Sequence, residues 1–317
     1  MSAKKLGSWF VSENGRKFSF AVGTVAAIGA FSAQYVPHTF LIEQYKNVVH
    51  YYRKGIAVPV RPDLLERFKK TLDLAEVSEK TKKIYSAFSV VGFDIFSAGS
   101  SYSKFGCIIG LPVNFSYDNV DTIERHNIKI LAESVVWDSK EAKDFLESLV
   151  LSEKAQMYAM AREMRMAETM KLYFDSAYCT LGVYFTYAFS QFINMRYNMY
   201  VKPVGIRLVM YGLVGSFWYT NYIFVKDFTQ LKYERKVDEE LKHLNPIFVE
   251  GAIEFYGKIL QRNKALRKLM GREGENMYSV HGNENYLLRQ RHLPLVQRKA
   301  YFENTLDPKE SLIREYV

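Results

Sequence analysis

The sequence predicts an α-helical membrane protein with three transmembrane helices and an α+β soluble domain. Three observations predict it. Phe18–Val36, Ser176–Met195 and Leu208–Val225 are long stretches without a single charged residue. Their edges are set by Lys17, Pro37, Asp175, Arg196, Arg207 and Lys226. Between and after them lie segments with β-rich and amphipathic patterning. The slightly negative mean hydropathy of the whole chain hides this segregation.

The charge of +9 is also segregated. Residues 1–17 carry Lys4, Lys5, Arg16 and Lys17 against Glu13, and residues 196–207 carry Arg196, Lys202 and Arg207 with no acid. The longer segments are nearly balanced, with 19 bases and 19 acids over 37–175 and 17 against 14 over 226–317. An excess placed beside apolar spans points to membrane topology. It does not form the basic face a nucleic-acid partner needs. By the positive-inside rule, residues 1–17 and the loop 196–207 lie on one side of the membrane, and residues 37–175 and 226–317 on the other.

The first span, residues 18–36, approaches the thickness of a hydrocarbon core, about 30 Å. Gly23/Ala27 and Ala26/Ala30 carry the small-residue spacing that lets helices approach closely. Its length favours an anchor over a cleaved signal peptide, and no small-x-small cleavage site follows it. The second and third spans, 176–195 and 208–225, form a tight hairpin about loop 196–207, which contains Pro203 and Gly205. These spans are rich in Tyr and Thr, a ring chemistry suited to membrane interfaces. Gly212/Ser216 repeats the small-residue spacing.

In segment 37–175 a helix is expected at Pro62–Leu74. Extended chain is expected at Ile84–Phe96 and Phe105–Tyr117, separated by the turn-rich SAGSSYSK. Ile128–Trp137 reads equally as strand or helix. Asp138 and Ser139 offer a helix N-cap, and the chain reads helical from there to the membrane. Met157, Met160, Met164 and Ala167 form a helical stripe that reads as a core-facing surface. In segment 226–317, packed with 37–175, a helix continues through Glu234–Leu244. A second runs from Phe248 to Met270 after Asn245-Pro246 and ends at Gly271 and Gly274. The last forty residues read as polar and irregular. Cys107 and Cys179 read as isolated buried thiols, with no disulfide framework.

No phosphate loop, dinucleotide fingerprint or nucleophile elbow occurs, and the six histidines form no helical metal-ligand pair. The sequence therefore predicts no enzyme, no catalytic residue, no metal site and no cofactor. One constellation is sharper. Ala161-Arg162-Glu163-Met164-Arg165-Met166 stands where a zinc peptidase carries AHExxH, and Glu234 to Asp238 follows the hairpin with ExxxD spacing. With a β-element upstream, this order is similar to that of the HtpX and CAAX-prenyl-protease class of membrane metallopeptidases. Arg162 and Met166 replace both histidines, so Glu234 would be left alone as a zinc ligand, short of the three that a catalytic site needs. Glu163 then has no metal-bound water to activate. The resemblance implies a degenerate peptidase scaffold.

A second resemblance covers nearly the whole chain. Its residues are IIGLPVNF at 108–115, LSEKAQMYAMAREM at 151–164, EGAIEFYGKIL from Glu250, and Asn263 to Arg267. Gly271-Arg-Glu-Gly-Glu, Tyr278, Gly282-Asn283 and His292-Leu-Pro294 complete the set. In order and in span position this resembles the transmembrane protein 177 family. The resemblance implies a multi-pass protein of the mitochondrial inner membrane that acts in early maturation of cytochrome c oxidase subunit 2. Its implied partners are that subunit and its dedicated assembly chaperone. The N-terminus and hairpin loop then face the matrix and the two soluble segments the intermembrane space, with the first span as import signal. Glu254, Phe255, Tyr256, Asn263, Arg267, Gly271, Gly274, Tyr278, His292 and Pro294 become the family-motif positions and the possible partner surface. Phe255 and Tyr256 read as packing anchors, Gly271 and Gly274 as turn glycines, and His292 to Pro294 as a rigid extended segment.

Overall fold

The computed structural model describes residues 9–125, 128–130 and 135–306. The basic residues Lys4 and Lys5, residues 131–134 within the ambiguous segment, and residues 307–317 lie outside these. The chain divides into two units, one of residues up to Leu41 with Met170–Thr229, the other of Ile42–Thr169 with Gln230 onward.

The first unit is helical. α1 (Glu13–Tyr35) starts on Ser12, whose hydroxyl accepts the Gly15 N–H, an ordinary N-cap. A 3-10 turn, Val36–His38, follows it, with Pro37 inside. α1 and the helix that opens the third expected span are long and apolar enough to cross a membrane. The second expected span also forms a helix of 26 residues, Lys171–Arg196. Its tyrosines and threonines, with Ser190, Gln191 and Asn194, keep it below the same apolarity, so two candidate spans are established by length and composition. The hairpin loop is shorter than expected. It is confined to residues 197–203, with a 3-10 turn at Met199–Val201, because Val204 already begins the next helix. That helix runs unbroken for 41 residues, Val204–Leu244. The small-residue spacings are used unequally. A Cβ on Gly23 would meet the Tyr187 ring at 2.9 Å, whereas one on Gly212 would meet nothing within 4 Å.

The second unit is α+β. After a short helix, α2 (Ile42–Val49), come a two-residue hairpin, β1 (Tyr52–Arg53) and β2 (Ile56–Ala57), then α3 (Pro62–Leu74). Pro62 occupies the first turn of α3, where its missing N–H costs nothing. The one-turn α4 (Glu79–Lys82) leads into β3 (Tyr85–Val90), β4 (Phe96–Gly99) and β5 (Cys107–Pro112). β5 is central, parallel to β3 and antiparallel to β4, and every one of its residues is buried. Gly110 is required there. A Cβ would meet Val90 at 2.8 Å and the Phe88 ring at 3.0 Å. The extended stretches are thus shorter than the sequence suggests. Chain 113–116 closes into a 3-10 turn, and β4 takes Ser97, Ala98 and Gly99 out of the supposed connecting turn.

α5 (Lys140–Leu149) and α6 (Glu153–Ala167) start on Ser139 and Ser152, whose hydroxyls accept N–H groups of Ala142 and Ala155. α6 is the central helix of the unit. Met157, Met160, Met164 and Ala167 all face the core, together with Tyr158 and Ala161. Lys171–Arg196 (α7) and Val204–Leu244 (α8) are the hairpin helices already given. α9 (Pro246–Leu269) begins on Asn245, whose side chain accepts the Ile247 N–H. α10 (Gly271–Met277) and α11 (Leu295–Leu306) follow. α11 corrects the expectation of an irregular tail. It forms because Phe302, fully buried, and Arg298 both turn into the core. Gly271, at φ +56, does end α9. Gly274 does not. It is helical, and a Cβ there would meet the Arg267 carbonyl oxygen at 2.5 Å.

Candidate functional site

α6 sits beside the sheet and presents Arg162, Glu163 and Met166 to a cavity of about 1140 Å³ in the second unit. α8 lines the same cavity with Glu234, α9 with Phe255, and α11 with Arg298. The segment 279–295, which connects α10 to α11, borders it and brings in His292 and Pro294. Four of the five peptidase-like positions, Arg162, Glu163, Met166 and Glu234, therefore border one cavity although α6 and Glu234 are far apart in sequence; Asp238 is buried and does not line it.

Their chemistry is that of closed ion pairs. Glu163 Oε1 accepts from Arg162 Nη2 at 2.7 Å, and its Oε2 accepts from Ser97 Oγ on β4 at 2.6 Å. The Arg162 guanidinium also lies 5.3 Å from the Phe255 ring centroid, within cation–π range. Glu234 meets His292 Nδ1 at 2.5 Å and accepts the Leu293 N–H at 2.8 Å and the Gln230 amide at 2.7 Å. Burial on its own would raise the Glu234 pKa. The His292 hydrogen bond, the Arg298 charge and the Leu293 N–H outweigh it and hold the carboxyl at about 2. Asp238 is clasped by Arg298 through two hydrogen bonds of 2.7 Å, a bidentate pair. It also accepts from Tyr158 Oη at 2.9 Å, which in turn lies 2.8 Å from Tyr256 Oη. Burial, then the Asp238 charge, pushes the Tyr158 phenol well above its ordinary value. Arg298 lies 4.8 Å over the Tyr256 ring. Glu163, Glu234 and Asp238 each lie beside an arginine and accept from neutral donors as well. Buried charges persist only when paired in this way.

A hydrolytic site needs a base free to take a proton from a positioned water. Glu163 is instead a hydrogen-bonded anchor between α6 and β4. Among the described residues, no group of three or more His, Cys, Asp or Glu is disposed to hold a metal ion.

The remaining singled-out residues mostly hold chain in place. Glu254 accepts the backbone N–H and the hydroxyl of Ser152, joining α9 to the start of α6. Phe255 and Tyr256 are buried. Asn263 donates to the Gly282 carbonyl at 2.8 Å, and Arg267 to the Tyr278 and Glu275 carbonyls at 2.7 and 3.0 Å. Tyr278 pairs with Glu284 as an isolated β-bridge. Asn263, Arg267, Gly274, Tyr278 and His292 thus all secure the segment between α9 and α11. Sequence reading missed Arg298, Tyr158 and Ser97. Their only signals were a tyrosine inside the methionine stripe and an arginine three residues after Leu295.

The comparisons with known proteins follow the same stretch of chain. The family model for transmembrane protein 177 matches residues 66–291. Transmembrane protein 177 of Mus musculus is 29% identical over 283 residues, covering 89% of each chain. That of Danio rerio is 29% identical over 282 residues, 88% of this chain and 90% of its own. That of Homo sapiens is 27% identical over 280 residues and 88% of each. No solved structure matches. With the family model spanning well over half of its length, the chain belongs to the transmembrane protein 177 family.

Proposed function

We propose that the chain is a non-enzymatic, multi-pass factor of the mitochondrial inner membrane that stabilises newly made cytochrome c oxidase subunit 2 and its dedicated assembly chaperone. It crosses the membrane three times, with the N-terminus and the hairpin loop in the matrix and residues 37–175 and 226–317 in the intermembrane space. The partners, the organelle and the orientation come from the resemblance to the family and from the basic residues beside the spans. A count of three spans needs α7, which carries the second of them, to cross despite its polar residues. Its groups have internal partners to turn to: Asn194 donates to Tyr211 Oη at 2.9 Å, and Thr180 and Thr186 donate to carbonyls one turn back.

One observation carries the non-enzymatic part. Glu163, Glu234 and Asp238, at the places a membrane peptidase would use, each lie beside an arginine and accept further hydrogen bonds. Such a framework fixes helices rather than moving protons.

The test is affinity purification of a tagged copy from mitochondria whose new translation products carry a radiolabel. The expected result is recovery of labelled subunit 2 with its chaperone, and faster loss of both when the protein is removed. Absence of both from the eluate, with unchanged subunit 2 turnover, overturns the proposal. A second reading is an inactive metallopeptidase-like regulator. The Ser97–Glu163 bond, which ties the sheet to the helix at the HExxH-like position, favours it. Metal analysis of the purified protein separates this reading from an active peptidase with an unconventional site. Stoichiometric zinc would support an active site.

A further inference from the structure

The first unit contains a groove of about 700 Å³, lined along its length by Phe18, Val22, Val183, Gly215 and Trp218. At one end the lining becomes polar, with Gln191 and Asn194. Asn194 is 1% exposed. Its Nδ2 donates to Tyr211 Oη at 2.9 Å, while its Oδ1 has no donor among the described residues. Beside it, Tyr200 Oη donates to Gln191 at 2.9 Å. Arg207 stacks its guanidinium 5.6 Å from the Tyr200 ring centroid. Arg207 is 6% exposed, and its Nε has no acceptor among the described residues. Among the described residues, an unsatisfied buried acceptor in the groove lining and an unsatisfied buried donor outside that lining, four residues before the lining Tyr211, thus flank the same tyrosine, Tyr200. Buried polar atoms are costly to leave so, and each such atom calls for a partner.

We propose that this groove binds an anionic glycerophospholipid whose headgroup carries a hydroxyl, of the phosphatidylglycerol type. An acyl chain fills the apolar length. The phosphate accepts from Arg207 Nε, and the headgroup hydroxyl donates to Asn194 Oδ1. The sign of the charge follows from Arg196, Lys202 and Arg207, which have no acid among them over residues 196–207. Guanidinium is well suited to phosphate. A transmembrane helix of a partner fits the polar end poorly, because its backbone groups are already bonded internally and it brings no anion. A phosphatidylcholine headgroup has no donor for Asn194.

Trp218 reports on the groove. The experiment uses the full chain with Trp9→Phe and Trp137→Phe, reconstituted in phosphatidylcholine vesicles that contain lipid with brominated acyl chains. Brominated phosphatidylglycerol is expected to quench Trp218 with saturation, at a mole fraction several-fold lower than brominated phosphatidylcholine. Unlabelled phosphatidylglycerol is expected to reverse the quenching. Arg207→Gln is expected to remove most of this preference, as the loss of a charge-assisted hydrogen bond would. Asn194→Leu is expected to remove the preference for phosphatidylglycerol over phosphatidic acid, which lacks the hydroxyl. Equal, unsaturated quenching by both brominated lipids overturns the proposal and leaves only bulk lipid contact. Trp218 shielded from every brominated lipid also overturns it and assigns the groove to another polypeptide. The displacement by unlabelled lipid needs no substitution at Arg207 or Asn194, so it decides the matter even if those variants fail to insert.

Discussion

The two units treat polar and apolar groups in opposite ways. In the unit built around α6, a core that includes Tyr158, Phe248 and Phe302 is fully hidden, and the buried carboxylates sit beside arginines: Asp238 and Glu234 with Arg298, Glu163 with Arg162. In the helical unit the apolar side chains point outward. Val25 is 69% exposed, Leu213 68% and Leu208 62%. Its interior holds hydroxyls and amides, among them Ser176, Ser190 and Asn194. Each arrangement fits a different solvent. Water demands that charges be exposed or paired, and lipid demands that apolar surface be outermost and polar groups be satisfied within. The contrast identifies a membrane protein more firmly than the apolar length of any single helix.

The contrast is most sharply broken by removing one half of a buried pair. Asp238→Ala takes its bidentate carboxylate from Arg298, at 5% exposure, and leaves it only Glu234 Oε2 at 3.7 Å. A loss of about 3–5 kcal/mol is expected, read as a large fall in melting temperature of the detergent-solubilised protein. A fall no larger than that of a surface variant would show that the pair does not hold the core.

The opposite test belongs to the helical unit. Leu213→Lys puts a charge within the apolar stretch of α8, one of the two candidate spans, at a cost of up to about 3 kcal/mol on the insertion scale. Glycosylation-site mapping is expected to show reduced insertion of that helix. Normal insertion would remove α8 from the membrane.

Acid tests the ion pairs together. The Glu234 carboxyl is held at about 2 against an ordinary 4.5. Its folded value is depressed, so its contribution, on the order of 3 kcal/mol, is complete above about pH 4.5 and is lost as the pH falls towards 2. Melting temperature against pH is expected to decline over that window, and Glu234→Gln to flatten the decline. An unchanged profile in the variant would contradict the pairing.

Tyr158→Phe removes the hydroxyl that joins Asp238 and Tyr256 while keeping the ring. A loss of about 1–3 kcal/mol is expected, since Asp238 keeps Arg298 but loses one donor. The smallest effect is expected at Leu287, 97% exposed beside the cavity. Leu287→Lys should change stability by less than about 0.5 kcal/mol. The same substitution at Leu213, also exposed at 68%, is expected to be severe, so the pair compares the two surroundings.

What is legible in the sequence is local. Pro62, Ser139 and Asn245 mark helix starts because capping and proline chemistry act within a turn. The methionine stripe shows which face of α6 is buried because helical periodicity acts within one element. The charged edges of the spans are likewise local. The site is long-range, and only half of it can be read. Glu234 and Asp238 stand out by their order after the hairpin, and His292 by its place in the family motif. Nothing in the sequence links Glu234 to His292, 58 residues on, or Asp238 to Arg298, 60 residues on. A lone arginine in a polar stretch reads as surface, so the helix carrying Arg298 and Phe302 reads as irregular chain. β4 escapes the sequence for a similar reason. Its Ser97, Ala98 and Gly99 have turn-like composition, and only pairing with β5 makes them a strand.

The central claim is stabilisation of a client without catalysis, and it turns on Glu163. Glu163→Gln keeps the shape of the side chain, an acceptor for Arg162 and a donor for Ser97, and removes any capacity to act as a base. Turnover of pulse-labelled cytochrome c oxidase subunit 2 is measured in cells lacking the protein, after restoring either the wild type or this variant to equal abundance in the membrane. Equal protection of the subunit by both is the predicted result. Protection by the wild type alone would contradict the account and make Glu163 a catalytic residue.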